Sequence, residues 1–184
     1  RHKGKDHFLR KNLGLRSVDF NGDGLEDLLY VEYFKTPVPG EYEYCYKYTA
    51  YISNGVELEE NGLYSRSYYD HNPNVYFGDF NGDGYTDIYP ISEDDPLYTY
   101  EIYPIDFNGD GKTDIMAIKN SDCIIYDGNS RTELYHSGFP TKYHRVFPGD
   151  FNGDGKTDVL TWSSAGWQIT YSQGNGFVWP QNNI

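Results

Sequence analysis

Short apolar runs punctuate the chain at 28–31, 88–91, 115–118 and 159–162, and each is entered through a strongly polar segment. Four residues of Leu, Ile, Val and aromatics are too few for a helix and suit a buried strand. A second β-prone stretch precedes each polar segment, at 16–18, 74–77, 101–105 and 144–147. The pattern reads strand, polar loop, strand, and such a loop joins antiparallel neighbours. A further hairpin follows at similar distance after the last two loops. Ile124, Ile125 and Tyr126 precede Asp127-Gly128-Asn129, and Ile169, Thr170 and Tyr171 precede Gly174-Asn175-Gly176. After the first loop the same hairpin arrives late, at Tyr51-Ile52-Ser53-Asn54-Gly55, and residues 35–48 read as an insertion that delays it. After the second loop it is missing, because the third loop comes first. No helix is expected.

The polar segments are one repeated sequence. Asp-Phe-Asn-Gly-Asp-Gly-x-x-Asp occurs at 19–27, 79–87, 106–114 and 150–158, with starts 60, 27 and 44 residues apart. The 44-residue spacing accommodates about four short strands, the length of a propeller blade. The first two spacings together make 87, close to two such units.

Composition sharpens this. The chain holds 20 Tyr, 10 Phe and 20 Gly against 1 Met, which favours an all-β fold. The formal net charge is -13. The twelve Asp residues of the four loops account for much of the acidity; setting them aside leaves 16 of the 28 acidic residues against 15 basic ones. The net charge argues against nucleic acid as a partner. No apolar run approaches the roughly 18 residues that span a membrane, so no membrane insertion is expected. The opening at Arg1, without Met or an apolar leader, reads as a processed chain or an excised piece. Two cysteines, Cys45 and Cys123, are too few for a disulfide scaffold; pairing and no pairing both remain open.

Three carboxylates crowded into nine residues, four times over, repel one another unless a cation neutralises them. Calcium takes about six to eight hard oxygen ligands at flexible geometry, and alternate positions of a curled loop can aim oxygens at one point. Positions 1, 3, 5 and 9 supply Asp19, Asn21, Asp23 and Asp27; Asp79, Asn81, Asp83 and Asp87; Asp106, Asn108, Asp110 and Asp114; Asp150, Asn152, Asp154 and Asp158. Position 7 can offer a backbone carbonyl, from Leu25, Tyr85, Lys112 or Lys156, which accounts for its varied side chain. Up to four calcium ions are expected, with magnesium the weaker competitor. Gly24, Gly84, Gly111 and Gly155 stand where the loop needs φ > 0. Phe20, Phe80, Phe107 and Phe151 are expected to anchor the loops in the core. An EF-hand is excluded, since its twelfth position needs a bidentate Glu and here it holds Tyr30, Pro90, Ala117 or Thr161.

These loops resemble the calcium loops of the FG-GAP or VCBS repeat family, which includes the β-propeller of integrin α chains. Gly149-Asp150-Phe151-Asn152-Gly153-Asp154-Gly155-Lys156-Thr157-Asp158 and Tyr171-Ser172-Gln173-Gly174-Asn175-Gly176-Phe177 are especially similar to repeats in secreted bacterial toxin-complex and YD-repeat proteins. Similar repeats occur in sugar-binding fungal propellers. The resemblance implies a β-propeller of antiparallel four-stranded repeats. Uneven spacing and only four loops make a partial or irregular propeller, in one repeat domain over 1–184, the expected form.

Little else carries chemistry. His2, His7, His71, His136 and His144 show no zinc spacing, and there is no nucleophile elbow, phosphate loop or dinucleotide fingerprint. Asp70-His71 reads as a turn, and Glu93, Asp94 and Asp95 as a solvated one. Tyr42, Tyr44, Tyr46 and Tyr48 alternate along one strand, as packing over a neighbour or as a platform for a glycan or protein. The expected function is a calcium-stabilised extracellular scaffold or interaction module of the adhesion type, without catalysis. Its partner is a protein or glycan at a surface or in a secreted assembly. The alternatives are a carbohydrate-binding lectin and an accessory domain of a secreted toxin or hydrolase. Calcium outside cells suits loops of low affinity.

Overall fold

The computed structural model describes residues 11–38, 41–68, 74–91, 93–138, 145–164 and 166–178. Side chains are described outside 11–14, 33–48, 61–68 and residue 163. The described residues are strands, turns and loops, with no helix among them. The chain divides into two compact units, residues 1–73 with 84–86, and residues 74–83 with 87–184.

The first unit is a four-stranded antiparallel sheet of β1 (Lys11–Val18), β2 (Asp27–Val38), β3 (Glu41–Ser53) and β4 (Leu58–Tyr68), in that order. The segment 35–48 continues the β2–β3 pairing, with Lys35 opposite Tyr44 and Val38 opposite Glu41. The extra residues therefore lengthen an existing hairpin. Tyr42, Tyr44, Tyr46 and Tyr48 lie on β3, and their side chains fall outside the described residues. Asp70 and His71 do so entirely.

The second unit holds three sheets. β5 (Asn74–Gly78) and β6 (Asp87–Ile91) form a two-stranded one, so the second repeat stops after the loop hairpin. β7 (Glu101–Ile105), β8 (Asp114–Lys119), β9 (Asp122–Tyr126) and β10 (Glu133–Gly138) form a four-stranded sheet, as do β11 (Arg145–Gly149), β12 (Asp158–Ser163), β13 (Gly166–Ser172) and β14 (Phe177–Val178). Among the described residues all pairings are antiparallel and no sheet closes into a barrel. These are propeller-like repeats in a partial, irregular array.

The β7–β10 sheet is apolar on both faces, as a sheet between two layers must be. Ile102, Ile115 and Ala117 pack with Phe80, Ile91 and Leu97 on one side. Ile105, Met116, Ile118, Cys123 and Ile125 pack with Phe107 and Val159 on the other. Cys123 is a free, buried thiol, pushed up to about 12 by burial and, secondarily, by the Asp122 charge. Each buried Phe is the second residue of an acidic loop and is covered by the sheet of the following repeat: Phe80 by β7 and β8, Phe107 by Val159 and Phe177.

Phe151 departs from the expected anchoring. It is 43% exposed, whereas Phe107 is fully buried. No later sheet among the described residues covers it, and the burial of this position comes from the next repeat, not from its own. Phe20, in the first unit, is half-buried.

Candidate metal centre in the acidic loops

All four loops share one backbone form. The glycines at positions 4 and 6 have φ between 74 and 85. At position 6 this curls the chain, as expected. At position 4 of the first loop there is a second cause, close approach of the neighbouring loop: a Cβ on Gly22 would sit 2.0 Å from the Gly84 carbonyl oxygen, whereas Gly153 of the fourth loop has nothing within 4 Å.

The side chains wire the loop to itself. In the first loop Gly22 and Asp23 N–H donate to Asp19 Oδ1 at 2.8 and 3.1 Å, and Gly24 N–H donates to Oδ2 at 2.9 Å. Asp23 N–H donates to Asn21 Oδ1 and Leu25 N–H to Asp23 Oδ1, at 3.0 and 2.8 Å. The third and fourth loops repeat the set on Asp106, Asn108 and Asp110, and on Asp150, Asn152 and Asp154. The second repeats part of it on Asp79 and Asn81. These N–H groups hold the Asp150 carboxyl below the usual range, Gly155 foremost, and the Lys156 N–H does the same for Asp154. Lys156 also extends Nζ to Asp154 Oδ2, 3.3 Å away. The position 7 side chains of Leu25 and Tyr85 are exposed.

The ninth-position carboxylates are different. Asp27, Asp114 and Asp158 are buried, and Asp87 is half-buried. Asp27 accepts from Phe20 N–H at 2.9 Å and Ser53 N–H at 2.7 Å; Asp158 accepts from Phe151 N–H at 3.0 Å and Ser172 N–H at 2.8 Å. Asp87 and Asp114 accept from Phe80 and Phe107 N–H, both at 3.1 Å. Each thus ties the loop start to the strand that follows. Burial raises the Asp114 pKa to about 7; the Phe107 N–H opposes the shift, and Asp110, Asp106 and Asp127 add to it.

Among the described residues no group of three or more His, Cys, Asp and Glu side chains converges as a metal cage. The donor set nevertheless fits a hard cation. A carboxylate has about four acceptor positions, and Asp27 spends two on the backbone N–H groups named above. Its neighbours Asp19, Asn21 and Asp23 bring further oxygens within one nine-residue curl. Calcium would be held by these oxygens and the position 7 carbonyl, and it would supply charge neutralisation.

Sequence reasoning missed the eighth position. Thr86, Thr113 and Thr157 each reach back to the preceding loop. Thr113 N–H donates to the Asp79 carbonyl at 2.7 Å, Thr157 N–H to Asp106 at 2.6 Å, and Thr86 N–H to Phe20 at 3.2 Å. The Thr86 hydroxyl donates to the Asp19 carbonyl at 2.6 Å, and Asp106 N–H donates to Thr157 Oγ1 at 3.0 Å. The signal was present: Thr occupies this position in three loops and Glu26 in the first, where Ser17 Oγ donates to its carboxylate. Thr157→Val keeps the shape and removes the acceptor for Asp106 N–H. A loss of about 1–2 kcal/mol is expected, read as a lower urea midpoint at unchanged slope.

No protein with a curated description matches the chain. A solved lectin of Agrocybe aegerita, described as specifically recognising non-reducing terminal N-acetylglucosamine, is similar in fold, with a TM-score of 0.53 at 14% identity. The alignment covers 93% of this chain and 66% of the lectin, so the chain spans about two thirds of that protein's length. The sequence profile of the FG-GAP-like repeat matches residues 19–89 and 106–161, well over half the chain. The chain belongs to the FG-GAP-like repeat family.

Proposed function

We propose that the chain is a calcium-stabilised extracellular interaction module without catalytic activity, its partner a protein or a glycan. The observation that carries this reading is the ninth-position Asp, buried in three loops beside further acidic oxygens. A buried carboxylate is costly unless it is paired. A cation shared with positions 1, 3, 5 and 7 supplies that pairing from the loop's own ligands. The position 1, 3 and 5 side chains otherwise serve loop shape, so the loop carboxylates are engaged as acceptors.

Native mass spectrometry tests the reading on Asp154→Ala. The parent chain is expected to carry four calcium ions and the variant three, since repeats contact mainly their neighbours and damage stays local. Retention of all four ions in the variant, or none in either protein, sinks it. A second reading, a lectin, is favoured by the exposed aromatics Phe147, Trp162 and Trp167, because flat rings suit sugar faces. A glycan array separates the two: saturable binding to one terminal sugar selects the lectin.

A further inference from the structure

Seven Asn-Gly pairs occur in the chain, at 21–22, 54–55, 61–62, 81–82, 108–109, 152–153 and 175–176. The dipeptide carries its own chemistry. The backbone nitrogen of the glycine, with no Cβ to hinder its approach, can attack Cγ of the Asn amide. The new N–Cγ bond closes a succinimide ring, and the side-chain nitrogen leaves as ammonia. Water then opens the ring at either carbonyl, giving aspartate or isoaspartate. The reaction needs a glycine N–H free to give up its proton and an Asn side chain free to turn onto it.

In the acidic loops neither is free. Gly22, Gly82, Gly109 and Gly153 each donate N–H to the position 1 carboxylate, at 2.7 to 2.8 Å. Asn21, Asn81, Asn108 and Asn152 each accept at Oδ1 from the N–H of the position 5 Asp, at 2.8 to 3.0 Å. The first three also donate Nδ2 to that residue's carboxylate. In the β3–β4 turn Asn54 Oδ1 accepts from Val56 and Glu57 N–H, and Gly55 N–H donates to Ser53 Oγ. The side chain of Asn61 falls outside the described residues.

The last pair has neither restraint. Asn175 is exposed in the β13–β14 turn, and among the described residues nothing hydrogen-bonds to its amide or to Gly176 N–H. The rest of the turn is fixed: Gln173 N–H donates to Gly176 O at 2.8 Å, and Gly174 N–H to Ser172 Oγ at 3.1 Å. This exposure belongs to the turn itself. Asn129, at the corresponding place in the β9–β10 turn, is exposed as well, although the β11–β14 sheet follows it. There the next residue is Ser130, whose N–H is taken by Asp127 Oδ1 at 2.6 Å.

We propose that Asn175 is the site at which the folded protein deamidates spontaneously, and that the hydrogen bonds of the acidic loops shield Asn21, Asn81, Asn108 and Asn152 from the same reaction. Isoaspartate routes the main chain through the former side chain and so lengthens the turn. This turn lies against the third acidic loop, since a Cβ on Gly174 would meet the Asn108 carbonyl oxygen at 3.4 Å. It also leads from Ser172, which donates N–H to Asp158 and Oγ–H to the Phe107 carbonyl, to Phe177, which packs on the Phe107 ring.

Timed incubation of the whole chain at mildly alkaline pH, followed by peptide mapping by mass spectrometry, is the test. One sample is folded, in physiological salt with calcium, and the other is unfolded in guanidinium. In guanidinium Asn175 and the four loop asparagines are expected to react at similar rates, each giving aspartate and isoaspartate. In the folded chain Asn175 should keep most of its rate and the loop asparagines should lose most of theirs. Gly176→Ala should remove most of the reaction at Asn175 without disturbing the fold, because Gly176 is not at positive φ and a Cβ there meets Tyr135 at an ordinary 3.5 Å. Loop asparagines that react as fast as Asn175 in the folded chain overturn the proposal, and so does a silent Asn175. A product free of isoaspartate overturns it too, since direct hydrolysis would then replace attack by the Gly176 nitrogen.

Discussion

Truncating Phe107 to alanine should cost about 3–5 kcal/mol, the range for an aromatic removed from a packed core. Phe151→Ala, the same change in the same motif, should cost about 1 kcal/mol or less. Phe107 is fully enclosed, with Tyr135 and Phe177 at ring distances of 5.8 and 5.2 Å and Val159 and Met116 in the same cluster. Deleting the ring opens a cavity between two sheets that cannot both collapse onto it. Phe151 has no described sheet over it and is 43% exposed. The difference is carried by the following repeat, not by the loop itself. Urea denaturation of both variants measures it. Equal losses would show that each loop anchors its own Phe.

Calcium should raise the melting temperature of the chelator-treated chain by many degrees, and magnesium by less. An ion bound only to the folded state stabilises by about 2.7 kcal/mol at 100 times its dissociation constant. For a chain of this size each kcal/mol shifts the midpoint by roughly 2–4 °C. One saturated loop is thus visible, and the four loops of the sequence act in the same direction. Magnesium holds its waters and accepts fewer protein oxygens, so the loops suit it less well. Thermal melts with chelator, with magnesium and with calcium give the order directly. An unchanged midpoint would mean that backbone N–H donors alone satisfy the loop carboxylates.

Much of this was legible in the chain. The apolar runs after the loops became β2, β6, β8 and β12 because four-residue Leu, Ile and Val segments bounded by Gly and Asp have few other uses. The two-stranded second repeat followed from the 27-residue gap, too short for the third and fourth strands. What stayed hidden depended on contacts between repeats. Gly22 at position 4 reads as a turn glycine, and only the Gly84 carbonyl explains why no side chain fits. Thr113 looks like a solvent-facing loop residue until its N–H is found on Asp79. Residues 35–48 read as an insertion because periodicity cannot distinguish a lengthened hairpin from a separate element. Within the loops, spacing singled out the acids as candidate ligands. The way they hold the loop through N–H groups such as those of Gly22 and Gly24 needed geometry.

The central claim is that the four acidic loops are cation sites, and a calcium titration of the metal-free chain by calorimetry tests it most directly. The account predicts saturable binding with about four ions per chain, one for each Asp-x-Asn-x-Asp-Gly-x-x-Asp loop. Absence of saturable heat up to millimolar calcium, the range of weak extracellular sites, would contradict it.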